Sequence, residues 1–109
     1  MRLPWVMDNE LLTIITKAKQ KYSAQGFLIL GVFGSRARGD FNPESDLDIL
    51  YKLDKKFYQE NPGWEAAGQL EEIKKGLSLM SGLNVDIANA DYLKEVGKKY
   101  ILPETIYVT

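Results

Sequence analysis

At 109 residues, 45% apolar and 27% charged, the chain is expected to form one compact domain, residues 1–109, with a single modest core. Its net charge of −1, from 14 basic and 15 acidic residues, offers no general attraction to nucleic acid or to a membrane surface. Cysteine and histidine are both absent, which excludes disulfides, thiolate nucleophiles and soft metal sites. Chemistry is left to carboxylates, hydroxyls, Lys, Arg, backbone amides and metals bound through oxygen.

The opening "MRLPWVMDNE" has no apolar run of signal-peptide length, and no segment approaches the roughly 20 apolar residues of a membrane span, so the chain is expected to be soluble and cytoplasmic. From Asp8 to Gln25, residues Leu11, Leu12, Ile15, Ala18 and Tyr22 recur at spacings of three and four. That period predicts an amphipathic helix with Asp8 as its N-cap and Gly26 as its stop. The next run, "FLILGVF", is short, continuous and apolar, as expected of a central strand covered on both faces. Gly34 and Ser35 close it, opening toward a short helical turn, and "RARGDFNPES" is turn material. In "DLDILYKL", Leu47, Ile49 and Tyr51 alternate with Asp46, Asp48 and Leu50, which predicts a second strand.

The region "DKKFYQENPG" reads as a polar loop. Trp64, Ala67, Leu70, Ile73, Leu77 and Met80 then mark a long helix stopped at Gly82, with Gly68 and Gly76 inside it costing about 1 kcal/mol each relative to Ala. "NVDIAN" predicts a third short strand carrying Asp86, another acid that looks buried. A last helix is expected from Asp91 to about Leu102, ended by Pro103, and the tail "ETIYVT" packs as a strand or a turn. Trp64, Tyr92, Tyr100 and Tyr107 fall where core packing suits them better than base stacking, Trp5 has no clear place, and Phe41 is a candidate to border a ligand.

An unpaired carboxylate in a low-dielectric interior is costly, so acids in apolar strands are paired, protonated or bound to a cation. Asp46 and Asp48 share one face, with Cα atoms roughly 6.5 to 7 Å apart. If the "VDIA" strand pairs beside them, Asp86 joins the cluster, and the repulsion calls for a cation between them. Arg36 or Arg38 could supply it, but three oxygen donors converging from strands are the usual setting for Mg²⁺ or Mn²⁺. Before them, Gly34 and Ser35 allow a close backbone approach to an anion and add a hydroxyl, and Arg36 and Arg38 bring charge suited to polyphosphate. Structural pairing of these arginines with Asp40 or Glu44 is the equal alternative. A phosphate cradle followed by a metal-like acid pair describes a nucleoside triphosphate with its metal.

The stretch "GSRARGDFNPESDLDILY" resembles the Gly-Ser, spacer, Asp-x-Asp pattern of the DNA polymerase β-like nucleotidyltransferases. It is most similar to their minimal single-domain branch, the MNT proteins, through Gly34, Ser35, Ala37, Arg38, Gly39, Ser45, Asp46 and Asp48. The resemblance implies an α+β, two-layer fold with a small mixed sheet of at least three strands flanked by helices. It implies that Asp46, Asp48 and Asp86 hold the metal, two Mg²⁺ ions or Mn²⁺, and that Asp86 orients or deprotonates the attacking hydroxyl, with Asp91 a rival for that place. Gly34 and Ser35, with Arg36 and Arg38 beside them, would bind the triphosphate of ATP. The loop from Lys55 to Gly63 has no counterpart in the pattern. MNT proteins are paired with helical HEPN toxins in type VII toxin–antitoxin modules, so the resemblance further implies transfer of AMP to a tyrosine of such a partner. Two alternatives stand beside it: an antitoxin that neutralises by contact with a vestigial site, and an enzyme modifying a small hydroxyl compound such as an aminoglycoside.

Overall fold

The computed structural model describes residues 8–108, so Trp5 lies outside the described residues. Its first helix, α1 (Asn9–Ser23), starts where the Asp8 carboxylate accepts from the amides of Glu10 and Leu11, and it buries Ile15, Ala18 and Tyr22. That stripe packs on β1 (Phe27–Phe33), which pairs antiparallel with β2 (Leu47–Leu53). Between them lies one short helical turn, α2 (Ser35–Arg38). A longer helix, α4 (Glu65–Ser81), packs on α1 and leads into β3 (Val85–Asn89), which lies parallel to β2. The chain continues through α5 (Glu95–Glu104) to β4 (Ile106–Tyr107), antiparallel to β1. The result is an α+β fold with a mixed four-stranded sheet of order β3-β2-β1-β4, in which β1 is central.

The core lies between the sheet and the helices. Leu47, Ile49 and Tyr51 of β2 point into it as the alternation requires, and Tyr51 stacks on Phe27 at 4.5 Å between ring centroids. On β1 the alternation is interrupted. A bulge between Ile29 and Gly31 shifts the register, so Phe27, Ile29 and Val32 face the core. Leu28, Leu30 and Phe33 are only half-buried, so the second face of this central strand is less covered than its unbroken apolar run suggests.

Four expectations are corrected. The stretch read as a polar loop contains a helix, α3 (Lys55–Glu60), capped by Asp54 Oδ1, which accepts from the Phe57 amide at 3.3 Å. Its one anchor, Phe57, is fully buried, and a single apolar residue in so short a segment shows no period. The last helix begins at Glu95 rather than Asp91, because Asn89 accepts from the Asp91 amide and starts a separate 3₁₀ turn over Ala90–Tyr92. Pro103 does not end α5 but sits in its last turn. The aromatic assignments also fail: Trp64 is 90% exposed, and Tyr92, Tyr100 and Tyr107 are exposed as well. The long helix does stop at Gly82, whose φ of 71° is the left-handed conformation glycine adopts readily.

Candidate active site

The parallel pairing of β2 with β3 sets Asp48 directly opposite Asp86, one residue after the pair Leu47 and Val85. Asp46 lies just before β2, at the end of the loop that begins at Gly34. Asp48 is half-buried, and its carboxyl is held above the usual carboxylate range. Burial is the main cause, followed by the negative charges of Asp86 and Asp46, while Arg38 pulls the other way and Glu104 adds a further upward push. Asp48 therefore feels the charge of both other acids, as the strand argument requires.

Their carboxylates do not converge in this conformation: among the described residues no three acidic groups are close enough to enclose an ion. Asp86, expected to be buried, is 66% exposed and lies 4.0 Å from Lys74 Nζ on α4. Asp91 is placed elsewhere, beyond the far end of β3 and 3.9 Å from Lys52. Asp46, Lys74, Leu79 and Asp86 border an open groove between the loop before β2 and the C-terminal half of α4.

The Gly34 turn lies against the other side of Asp48. Gly34 has φ of 77°, and a Cβ built on it would overlap the Asp48 carboxylate, so both backbone conformation and space demand glycine there. Its carbonyl accepts from the amides of Ala37 and Arg38, which winds α2. The two arginines separate. Arg36 is 9% exposed, donating from Nε to the Ser45 carbonyl at 3.1 Å and from Nη2 to that of Asn42 at 3.4 Å, with its guanidinium over the Phe41 ring. It clamps the loop that delivers Asp46. Phe41 is accordingly engaged with Arg36, although 45% of it remains exposed. Arg38 stays on the surface, where Nε pairs with Asp40 at 3.2 Å and Nη1 with Glu104 at 3.1 Å.

Glu104 and Lys74 were not found from the sequence. Neither lies in a motif, and each reaches the site only through packing: Lys74 from the face of α4 beside β3, Glu104 from the end of α5.

A glycine-bounded turn against an acid pair, on a mixed sheet with helices, defines a nucleotidyltransferase. Residues 12–108 match the nucleotidyltransferase domain family, and the chain belongs to it. It is 34% identical over 101 residues to the protein adenylyltransferase MntA of Thermococcus cleftensis, across 92% of this chain and 94% of that protein. It also superposes on a solved structure of a minimal nucleotidyltransferase with a TM-score of 0.67 and 27% identity, covering 92% of this chain and 95% of the other. Nucleotidyltransferases generally use a nucleoside triphosphate and a divalent metal. The donor set fits such an ion: hard carboxylate oxygens, that of Asp48 with its proton affinity raised by burial and then by the charges of Asp86 and Asp46. Among the described residues no helix is long and apolar enough to cross a membrane.

Proposed function

We propose that this chain, acting as a single domain, transfers AMP from ATP to a tyrosine hydroxyl of a HEPN-family partner, as the cytoplasmic antitoxin of a type VII toxin–antitoxin module. The observation that carries the chemistry is the placement of Asp48 opposite Asp86 and against Gly34. The likeness to a protein adenylyltransferase supports a protein as acceptor.

In this reading Asp46, Asp48 and Asp86 would hold Mg²⁺, two ions or Mn²⁺ in its place, which would stabilise the negative charge that develops during phosphoryl transfer. The Gly34–Ser35 turn and Arg38 bind the triphosphate, while Arg36 holds the loop carrying Asp46. The acceptor oxygen attacks the α-phosphorus in line, the bond from that phosphorus to the bridging oxygen breaks, and pyrophosphate leaves with the electron pair. Asp86, which borders the groove, orients the hydroxyl or takes its proton as that oxygen attacks. The protein contributes position and charge rather than a covalent intermediate.

The test is transfer of α-labelled ATP, with Mg²⁺, to the helical protein encoded beside this chain. Label on a partner tyrosine with wild type, and none with Asp48→Asn, is the expected result. No label from wild type, with a stable and neutralised complex, would replace this reading with inhibition by contact alone.

A further inference from the structure

The position of Glu104 is decided by the strand that follows it. Gly31 and Val32 of β1 pair with Tyr107 and Ile106 of β4. A Cβ at Gly31 would run into the Ile106 carbonyl and approach the Thr105 methyl, so glycine is what lets this backbone settle on β1. Beyond the pairing, the Val108 amide donates to the Leu30 carbonyl at 2.9 Å, and Lys19 Nζ donates to the Val108 carbonyl. Glu104, the last residue of α5, lies two residues before β4, and that short link leaves it beside Gly34. There Oε1 accepts from the Gly34 amide at 3.1 Å, and Arg38 Nη1 donates to both carboxylate oxygens, at 3.2 and 3.1 Å. One carboxylate thus joins the residue that opens α2 to the residue that ends it.

We infer that Glu104 is a positioning residue for the nucleotide: it braces the Gly34–Arg38 turn from across the sheet and holds Ser35 and Arg38 in one orientation beside Asp48. The inference rests on reading that turn as the triphosphate site. It predicts a sign that simple electrostatics would reverse. A carboxylate near a triphosphate repels it, so a Glu104 that did nothing else would weaken ATP binding, and its removal would tighten it. A brace gives the opposite result. Local bonds fix the rest of this region: Arg36 is tied to the 42–45 loop and Gly34 is pressed on Asp48. Arg38, on the surface, has one local anchor in Asp40 through Nε, and its Nη1, like the Gly34 amide, is held by the distant Glu104.

The experiment is calorimetric titration of ATP, with Mg²⁺, into wild type, Glu104→Gln, Glu104→Ala and Gly31→Ala, with a melting curve for each to set a temperature at which all are folded. Glu104→Ala is expected to bind ATP roughly tenfold more weakly than wild type, through loss of charge-assisted hydrogen bonds. Glu104→Gln, which can still accept from the Gly34 amide, should fall between them. Gly31→Ala leaves the carboxylate intact but displaces β4, and should weaken ATP in the same direction. Equal or tighter binding by folded Glu104→Ala, beside a wild type that binds, overturns the brace, and unchanged affinity in Gly31→Ala overturns its placement by β4. A wild type that does not bind ATP overturns the triphosphate reading itself, and this inference with it.

Discussion

Two stretches supply the charged groups of the site, and they are held in different ways. Apart from the Glu104 contacts to Gly34 and Arg38, the segment from Gly34 to Asp48 carries its own scaffolding: the Gly34 carbonyl winds the turn, Arg36 clamps the loop, and the Ser45 hydroxyl accepts from the Asn42 amide at 3.0 Å. The segment from Asp86 to Glu104 has almost none. Asp86 is mostly exposed, α5 buries no residue, and the acids reach the site through distant partners, Asp86 by strand pairing with Asp48 and Glu104 by its bonds to Gly34 and Arg38. Chemistry that must be fixed is written locally, whereas the groups that complete it are delivered by topology.

The sharpest test of this contrast replaces the two facing acids in turn. Asp48→Asn and Asp86→Asn are each expected to lower AMP transfer by more than about a hundredfold, since each removes charge placed for the transition state. Their folds should respond differently. Without divalent metal, Asp48→Asn should raise the melting temperature by relieving burial and repulsion, and Asp86→Asn should leave it nearly unchanged. Equal stability effects would break the contrast between a packed and an exposed acid.

Next in size are the substitutions that separate anchored from exposed aromatics. Phe57→Ala should cost about 3 to 5 kcal/mol in denaturant unfolding, because the ring is fully buried. Trp64→Ala, at 90% exposure, should stay within about 0.5 kcal/mol. The two glycines inside α4 divide in the same way. A Cβ at Gly76 would overlap the Tyr22 hydroxyl, so Gly76→Ala should destabilise by about 1 to 3 kcal/mol. Gly68 has open space around it, and Gly68→Ala should stabilise by up to about 1 kcal/mol.

The smallest expected effect is on pH dependence. Because the folded state holds the Asp48 carboxyl above its ordinary range, the protonated folded form is favoured. That contribution to stability is complete below the usual Asp range and is lost as pH rises through the raised value. The melting temperature of the metal-free wild type should therefore fall relative to Asp48→Asn as pH climbs out of the acid range. Parallel melting curves across that range would show that Asp48 is not under the strain its surroundings imply.

Legibility followed the same division. The α1 stripe apart from the exposed Leu12, both central strands, the Gly82 stop and the turn before Asp46 are set by neighbours in sequence, and they stand where the pattern placed them. The helix around Phe57 was hidden because one buried ring has no periodicity. The exposed aromatics misled because helical spacing says which residues share a face and not whether anything covers it. At the site, the motif named Gly34, Ser35, Asp46 and Asp48, and the Asp86 pairing followed from one assumption about strand order. The outward turn of Asp86 toward Lys74 depends on α4, and the bonds of Glu104 depend on a register set at Gly31. No local pattern encodes either.

The parallel partnership of β2 and β3 also bears on how fast the protein becomes competent. A parallel pair needs a long crossover, here α3 and α4, and must close that entire loop before any of its hydrogen bonds is made. The β1–β2 pair closes over a much shorter connection. On refolding, strand signals from β1 and β2 should therefore recover before Asp48 meets Asp86, leaving a short interval in which a compact chain carries its motif and has no working site.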